Sequence, residues 1–216
     1  MERYLIAAGG PKTSSSPFKL LPVLWKPMSK SETDAAKRIL GNASDELKRD
    51  IGTAPFGNRS DSRTFAGSVA NRVRVDEIWL LPDPEEKERW VAKVVCGMTI
   101  EEDMVNTMGN IHGACSTFLI DMCSSLAILA LAIGKYNDPK LAMVVSQSLN
   151  TLYHAPAGIG EELRIVNTTM TLGTRVTSSR TEIWSKTHHR LVSSGIHIKM
   201  APTSKPEDGD KLKAKM

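Results

Sequence analysis

The residues best suited to chemistry lie between positions 106 and 121, in the run NTMGNIHGACSTFLID. A polar, glycine-containing turn at 106–110 comes first. His112-Gly113-Ala114 then reads as the opening of a helix, and Asp121 follows inside an apolar run. Between Met104 and Gly134, His112 and Asp121 are the strongly ionisable side chains. Asp121 stands among Phe118, Leu119, Ile120 and Met122. A carboxylate taken out of water disfavours folding unless it is hydrogen-bonded, paired or protonated. Asp121 is therefore either a functional-site residue or a group that caps or bonds to a neighbouring segment.

The element that must position these groups is a long helix from about 111 to 133. His112 and Asp121 are nine residues apart, which rotates one about 180° from the other around a helix. Within one chain they point in opposite directions. A two-fold symmetric dimer resolves this by bringing Asp121 of one copy to the His112-Gly113 turn of the other.

Strands are expected on both sides of that helix. Residues 73–81 and 90–100 read as two strands split by the Pro82-Asp83-Pro84 stop and a charged turn. After the loop at 134–139, residues 142–153, 162–172, 176–185 and 191–200 read as four more. Thr/Ser-rich strands joined by short turns suit an antiparallel sheet. The fold class is α+β, one antiparallel sheet curled around one long central helix. Residues 1–67 form an N-terminal extension, irregular to about residue 30 and helical within 31–51, where Ser31-Glu32-Thr33-Asp34 resembles a capping box. The main domain spans 68–201, and 202–216 is a charged, disordered tail.

Composition narrows the function classes. Of 216 residues, 41% are hydrophobic and 24% charged, enough for a sizeable core. A net charge of +4 suits a polyanionic small molecule and is too weak to argue for nucleic acid. Cys96, Cys115 and Cys123 have no metal-ligand spacing and read as reduced core thiols, so no metal is expected. The apolar 111–133 helix is long enough to raise the question of a membrane span, but Asp121, His112 and several Ser/Thr make it a buried core helix instead. The expected location is the cytoplasm. The ending Ala214-Lys215-Met216, a loose variant of a peroxisomal address, and the basic, serine-rich first thirty residues make peroxisome and mitochondrion the alternatives.

From about residue 73 to 200 the chain resembles the hotdog-fold acyl-coenzyme A thioesterases, in the branch of the phenylacetate-pathway and small eukaryotic acyl-CoA thioesterases. The motif is Asn106-x-x-Gly109-x-x-His112-Gly113-Ala114 followed by Asp121. The family usually has a second glycine where this chain has Ala114. A second match is Val145-Ser146-Gln147-Ser148-Leu149-Asn150 with Tyr153-x-Ala155-Pro156-Ala157, and the ending Gly195-x-His197-x-Lys199 is also similar.

The resemblance implies hydrolysis of an acyl-CoA to free acid and CoA, with no cofactor beyond the coenzyme A of the substrate. It implies Asn106, His112 and Gly113 from one protomer and Asp121 and Ser146 from its partner, in a homodimer or a dimer of dimers. The Gly113 N–H, at a helix N-terminus, would stabilise the oxyanion. Asn106 would donate to the same carbonyl or to the water, and His112 would orient the turn. Asp121 would be general base or nucleophile, and Ser146 would hold the water or the carboxylate. Two other readings remain open: a hotdog hydratase or dehydratase, and a non-catalytic acyl-CoA-binding or regulatory protein.

Overall fold

The computed structural model describes residues 36–53 and 65–202. The expectations for residues 1–35 and 203–216, including the capping box at Ser31 and the Ala-Lys-Met ending, lie outside the described residues.

Six strands, β1 (Arg74–Pro82), β2 (Trp90–Thr99), β3 (Val145–Tyr153), β4 (Glu162–Leu172), β5 (Val176–Ser185) and β6 (Arg190–Met200), form one sheet. Their order is β1-β2-β4-β5-β6-β3, and every neighbouring pair is antiparallel. The α-helices among the described residues are α1 (Asp45–Thr53), α2 (Gly67–Ala70) and α3 (Gly113–Gly134). This is the α+β hotdog arrangement, a sheet wrapped around the long helix α3.

Alternation explains which side of the sheet meets α3. On β2, Ala92, Val94, Cys96 and Met98 are buried against Leu119, Ile120, Cys123, Leu126 and Leu131 of the helix. Each fully buried Val, Leu, Ile or Met among them contributes about 1.5–3 kcal/mol. α3 is long and apolar enough to cross a membrane by composition, yet over half of it is buried inside the fold, and it serves as the core helix.

The inner face changes character across the sheet. On β5 and β6 the buried inward residues include Thr177, Ser179, Thr181, Ser185, Ser193, His197 and Lys199. Some are paired: Thr181 Oγ1 donates to Asn167 Oδ1 at 2.8 Å, and the Asn167 amide donates to the Val94 carbonyl at 3.0 Å. The hydroxyls of Thr177, Ser179 and Ser193 have no hydrogen-bond partner among the described residues.

The two sheet edges are treated differently. Residues 39–43 run along β1, where the Leu40 N–H donates to Asp76 O (2.9 Å) and the Ile78 N–H to Leu40 O (2.8 Å). The Asn42 side chain both accepts from the Leu80 N–H and donates to the Leu80 carbonyl. Gly41 sits at φ 111°, where a Cβ would collide with the Ile78 carbonyl, so this strap needs a glycine. Ile39, Ala43, Leu47 and Ile51 join the same core as β1, β2 and α3. The β1 edge is thus covered, whereas among the described residues β3 pairs only with β6 and its other edge has no strand partner.

Two boundaries differ from expectation. A short helix, α2, lies ahead of β1, where no element is expected, starting from Ala66 in the left-handed region at φ 49°. β3 starts at Val145, not 142, because Pro139–Ala142 forms a 3-10 turn whose first N–H groups are capped by Asp138, its Oδ1 accepting from the Lys140 N–H at 3.0 Å.

Candidate active site

The first cluster surrounds the N-terminus of α3. The Asn106 N–H donates to Asn110 O (2.8 Å) and the Gly109 N–H to Asn106 O (2.9 Å), closing the turn. Asn106 Oδ1 also accepts from the Met108 and Asn110 N–H groups. Its amide nitrogen has no partner among the described residues. The Ile111 N–H donates to Ala157 O at 2.7 Å, and the His112 N–H to Met104 O at 2.8 Å. These bonds hold the loop against the Gly158–Glu161 turn and aim the helix start.

His112 is the N-cap: its Nδ1 accepts from the Ala114 N–H at 3.0 Å. That places the ring proton on Nε2 and gives His112 an orienting part. The next N–H, that of Gly113, is in the unpaired first turn of the helix and finds no acceptor among the described residues. Tyr153 of β3 lies over Gly113, its hydroxyl donating to the Gly113 carbonyl at 3.2 Å and bonding Thr117 at 2.9 Å. A Cβ on Gly113 would lie 3.2 Å from the Tyr153 ring, so only glycine keeps this approach free of crowding.

The second cluster is two turns further along α3. Ser146 Oγ donates to Asp121 Oδ1 at 3.2 Å, and His197 Nε2 lies 2.9 Å from Ser146 Oγ and 3.3 Å from Asp121 Oδ1. On the other side of the ring, His197 Nδ1 is 2.8 Å from Ser124 Oγ. The Ser124 hydroxyl in turn donates to the Asp121 main-chain carbonyl at 3.0 Å. Ser124 Oγ thus links the Asp121 main-chain carbonyl to the His197 ring, and Ser146 Oγ lies between His197 Nε2 and the Asp121 carboxylate.

A strand irregularity makes this contact possible. Leu149 packs on the core and pairs with His197, so in an unbroken β3 Ser146 would point to the opposite face. A bulge at Gln147 intervenes: Ser146 pairs with Lys199 while Ser148 pairs with Ile198. The extra residue turns Ser146 inward.

Asp121 departs from expectation. Its side chain is 47% exposed, because it lies on the face of α3 that looks toward the edge strand β3 and not among its apolar sequence neighbours. His197 is fully buried. Burial pushes its imidazole below the ordinary histidine range, and the nearby Lys199 ammonium pushes the same way while Asp121 opposes both. Burial likewise lowers the Lys199 amine, with Asp121 opposing.

The structure thus brings Asp121 to Ser146, and Asn106 to His112 and Gly113, but leaves the two clusters apart. Eight residues of helix separate Gly113 from Asp121, about 12 Å along the axis. His197, Lys199 and Ser124 had no role assigned from sequence. The available signal was two basic residues at alternate, inward-facing positions of an otherwise apolar and small-residue last strand.

Comparison with known proteins agrees with this architecture. A family model described as the thioesterase superfamily matches residues 108–192, a span that holds His112, Gly113, Asp121 and Ser146. Acyl-coenzyme A thioesterase 13 of Mus musculus is 31% identical over 107 residues, covering 50% of this chain and 71% of the relative. The Homo sapiens protein of that name is 30% identical over the same length and coverage. The crystal structure of zebra fish thioesterase superfamily member 2 superposes with a TM-score of 0.53 at 28% identity, over 68% of this chain and 93% of that one. Fold, motif and relatives agree: the chain belongs to the thioesterase superfamily, among the hotdog-fold acyl-CoA thioesterases.

Proposed function

We propose that the protein hydrolyses acyl-CoA thioesters to free acid and coenzyme A, in a site built from two copies of the chain. One observation carries this reading. A free oxyanion donor at Gly113 and a proton-accepting cluster at Asp121 stand about 12 Å apart on one helix, too far to meet at one carbonyl. A second copy supplies the missing half. The open edge of β3, with Val145, Leu152 and Tyr153 exposed, suits pairing with its own copy, as a dimer or a dimer of dimers.

In this site Asn106 and Gly113 of one copy donate to the thioester carbonyl. Asp121 of the other accepts a proton from a water held by Ser146, and the oxygen of that water attacks the carbonyl carbon. Negative charge moves to the carbonyl oxygen, where preorganised donors stabilise it. Collapse breaks the carbon–sulfur bond, and the proton on Asp121 passes to the departing thiolate. Atoms balance as thioester plus water giving acid plus thiol, with no metal or organic cofactor in the sequence of steps. A net charge of +4 suits the phosphates of coenzyme A.

Thiol release from a panel of acyl-CoAs of varied chain length and aryl character tests the proposal. Release above the uncatalysed rate is expected for at least one acyl class. Water addition to or loss from the acyl chain without thiol release would make the protein a hydratase or dehydratase instead. Binding without turnover would make it a non-catalytic acyl-CoA protein. Activity lost with chelator and regained with zinc would contradict the metal-free steps.

A further inference from the structure

Glu161 is a buried carboxylate immediately ahead of β4, only 8% exposed. It has partners on three segments. Its Oε1 accepts from the Gly158 N–H of its own turn at 2.8 Å, and its Oε2 from the Ser185 hydroxyl at the end of β5 at 2.5 Å. Arg190, the first residue of β6, donates from Nη2 to Oε1 at 3.3 Å. His188 Nε2, in the hairpin between those strands, lies 3.6 Å from the same oxygen. A leucine or methionine would fill this place without needing donors, so the carboxylate calls for a reason.

The turn that Glu161 ties down is the one that carries the loop ahead of α3. The Ile111 N–H donates to Ala157 O, and Asn110 and Gly158 form an antiparallel bridge. The turn is also laced to the end of β2: the Gly160 N–H donates to Ile100 O at 2.9 Å, and the Ile100 N–H to Glu161 O at 3.0 Å. A chain of bonds therefore runs from the β5–β6 hairpin through the Glu161 carboxylate to Gly158, and from there to Asn110 and Ile111. Asn106 lies at the near end of that loop and Gly113 just past it. Donors that stabilise a developing charge act through their fixed placement, which depends on the groups behind them.

We propose that Glu161 is the positioning residue of the oxyanion loop, its buried carboxylate fixing the Gly158 turn to the β5–β6 hairpin and thereby holding the Asn106 amide and the Gly113 N–H in place. The inference rests on the hydrolytic reading of that loop. Glu161 touches no reacting atom; it acts through Gly158, Asn110 and Ile111. Sequence pattern could not single it out, because its partners at 185, 188 and 190 come from a hairpin more than twenty residues away.

The test compares Glu161→Met, which keeps the bulk and removes both acceptors, with Glu161→Gln, which keeps an acceptor for the Gly158 N–H. Two quantities are followed well below the melting temperature: kcat and KM for acyl-CoA hydrolysis, and amide hydrogen exchange at Ile111 relative to the amides of the β2–β4 ladder in substrate-free protein. Glu161→Met is expected to lower kcat about ten- to a hundredfold, the cost of a shift of about 1 Å in the groups that meet the substrate, with KM within about twofold. Ile111 exchange should rise about tenfold relative to the ladder, as for a local opening. Glu161→Gln is expected to stay within about threefold of wild type in kcat. A folded Glu161→Met protein with wild-type kcat, or with Ile111 exchange raised no more than that of the ladder, overturns the proposal: Glu161 would then serve global stability alone. If Glu161→Met does not fold, Ser185→Ala takes its place, cutting the tie to β5 and leaving the carboxylate; unchanged kcat and Ile111 exchange there overturn the proposal equally. Selective release of Ile111 in a protein whose wild type hydrolyses no acyl-CoA would uphold Glu161 as the anchor of this loop and reject the hydrolytic reading.

Discussion

Ser146 Oγ meets His197 Nε2 at 2.9 Å because β3 carries one residue too many opposite Ile198. The bulge at Gln147 reverses the face to which Ser146 points, and so joins the edge strand to the buried histidine and to Asp121. Deleting Gln147 would leave Ser146 two positions from Leu149, again on the inner face. The account predicts that this deletion keeps kcat/KM within about tenfold of wild type. An assay of the deletion beside Ser146→Ala checks this. A deletion as damaging as loss of the serine would mean that the bulge does more than turn Ser146 inward.

Asp121→Asn keeps the shape of the side chain and removes its capacity to take a proton. Turnover should fall on the order of a hundred- to ten-thousand-fold, typical for a general base, with KM little changed. Ser146→Ala should cost less, since it holds the water and does not accept the proton. Steady-state kinetics on both variants decide. Equal and small losses would give Asp121 a structural part.

Much of this arrangement was readable before any coordinates. β4 and β5 lie where alternation put them, and the central helix was clear from its apolar run and its glycine end. His112 and Gly113 were legible because a helix start imposes local rules. The Asp121–Ser146 pairing came from the family resemblance alone, and the contact with His197 was not legible. It depends on a strand order that places β3 beside β6 and on a bulge that inverts the facing of Ser146, and neither follows from local pattern. Asp121 misled for a similar reason. Its neighbours in sequence are apolar, but on a helix they point to other sides, and the edge strand leaves its own side half open.

The buried histidine ties stability to pH. Its folded-state proton affinity lies below the unfolded value of 6.5, chiefly through burial. The unfolded chain therefore binds this proton more readily. The contribution of His197 is fully present above pH 6.5 and is lost as pH falls from there through the lowered folded value. Glu77, Asp103, Glu161 and Glu162, held below the usual carboxylate range, act in the same direction at pH values below their ordinary ones of 3.8–4.5. Tm should drop by about a few degrees between pH 7 and pH 5.5, and His197→Gln should flatten that part of the curve. Thermal scans across this window check it. An unchanged slope in the variant would show that His197 does not carry the effect.

The central claim is a site shared between two copies of the chain, and subunit complementation tests it most directly. Asp121→Asn damages one half of each site and Asn106→Asp the other, and each protein alone should be nearly inactive. In a mixed dimer one site carries both lesions and the other carries neither. With free exchange and half the population mixed, activity should recover to roughly a quarter of wild type. Exchange confirmed by mass, with activity still at the level of the single variants, would contradict the account and place all the catalytic groups within one chain.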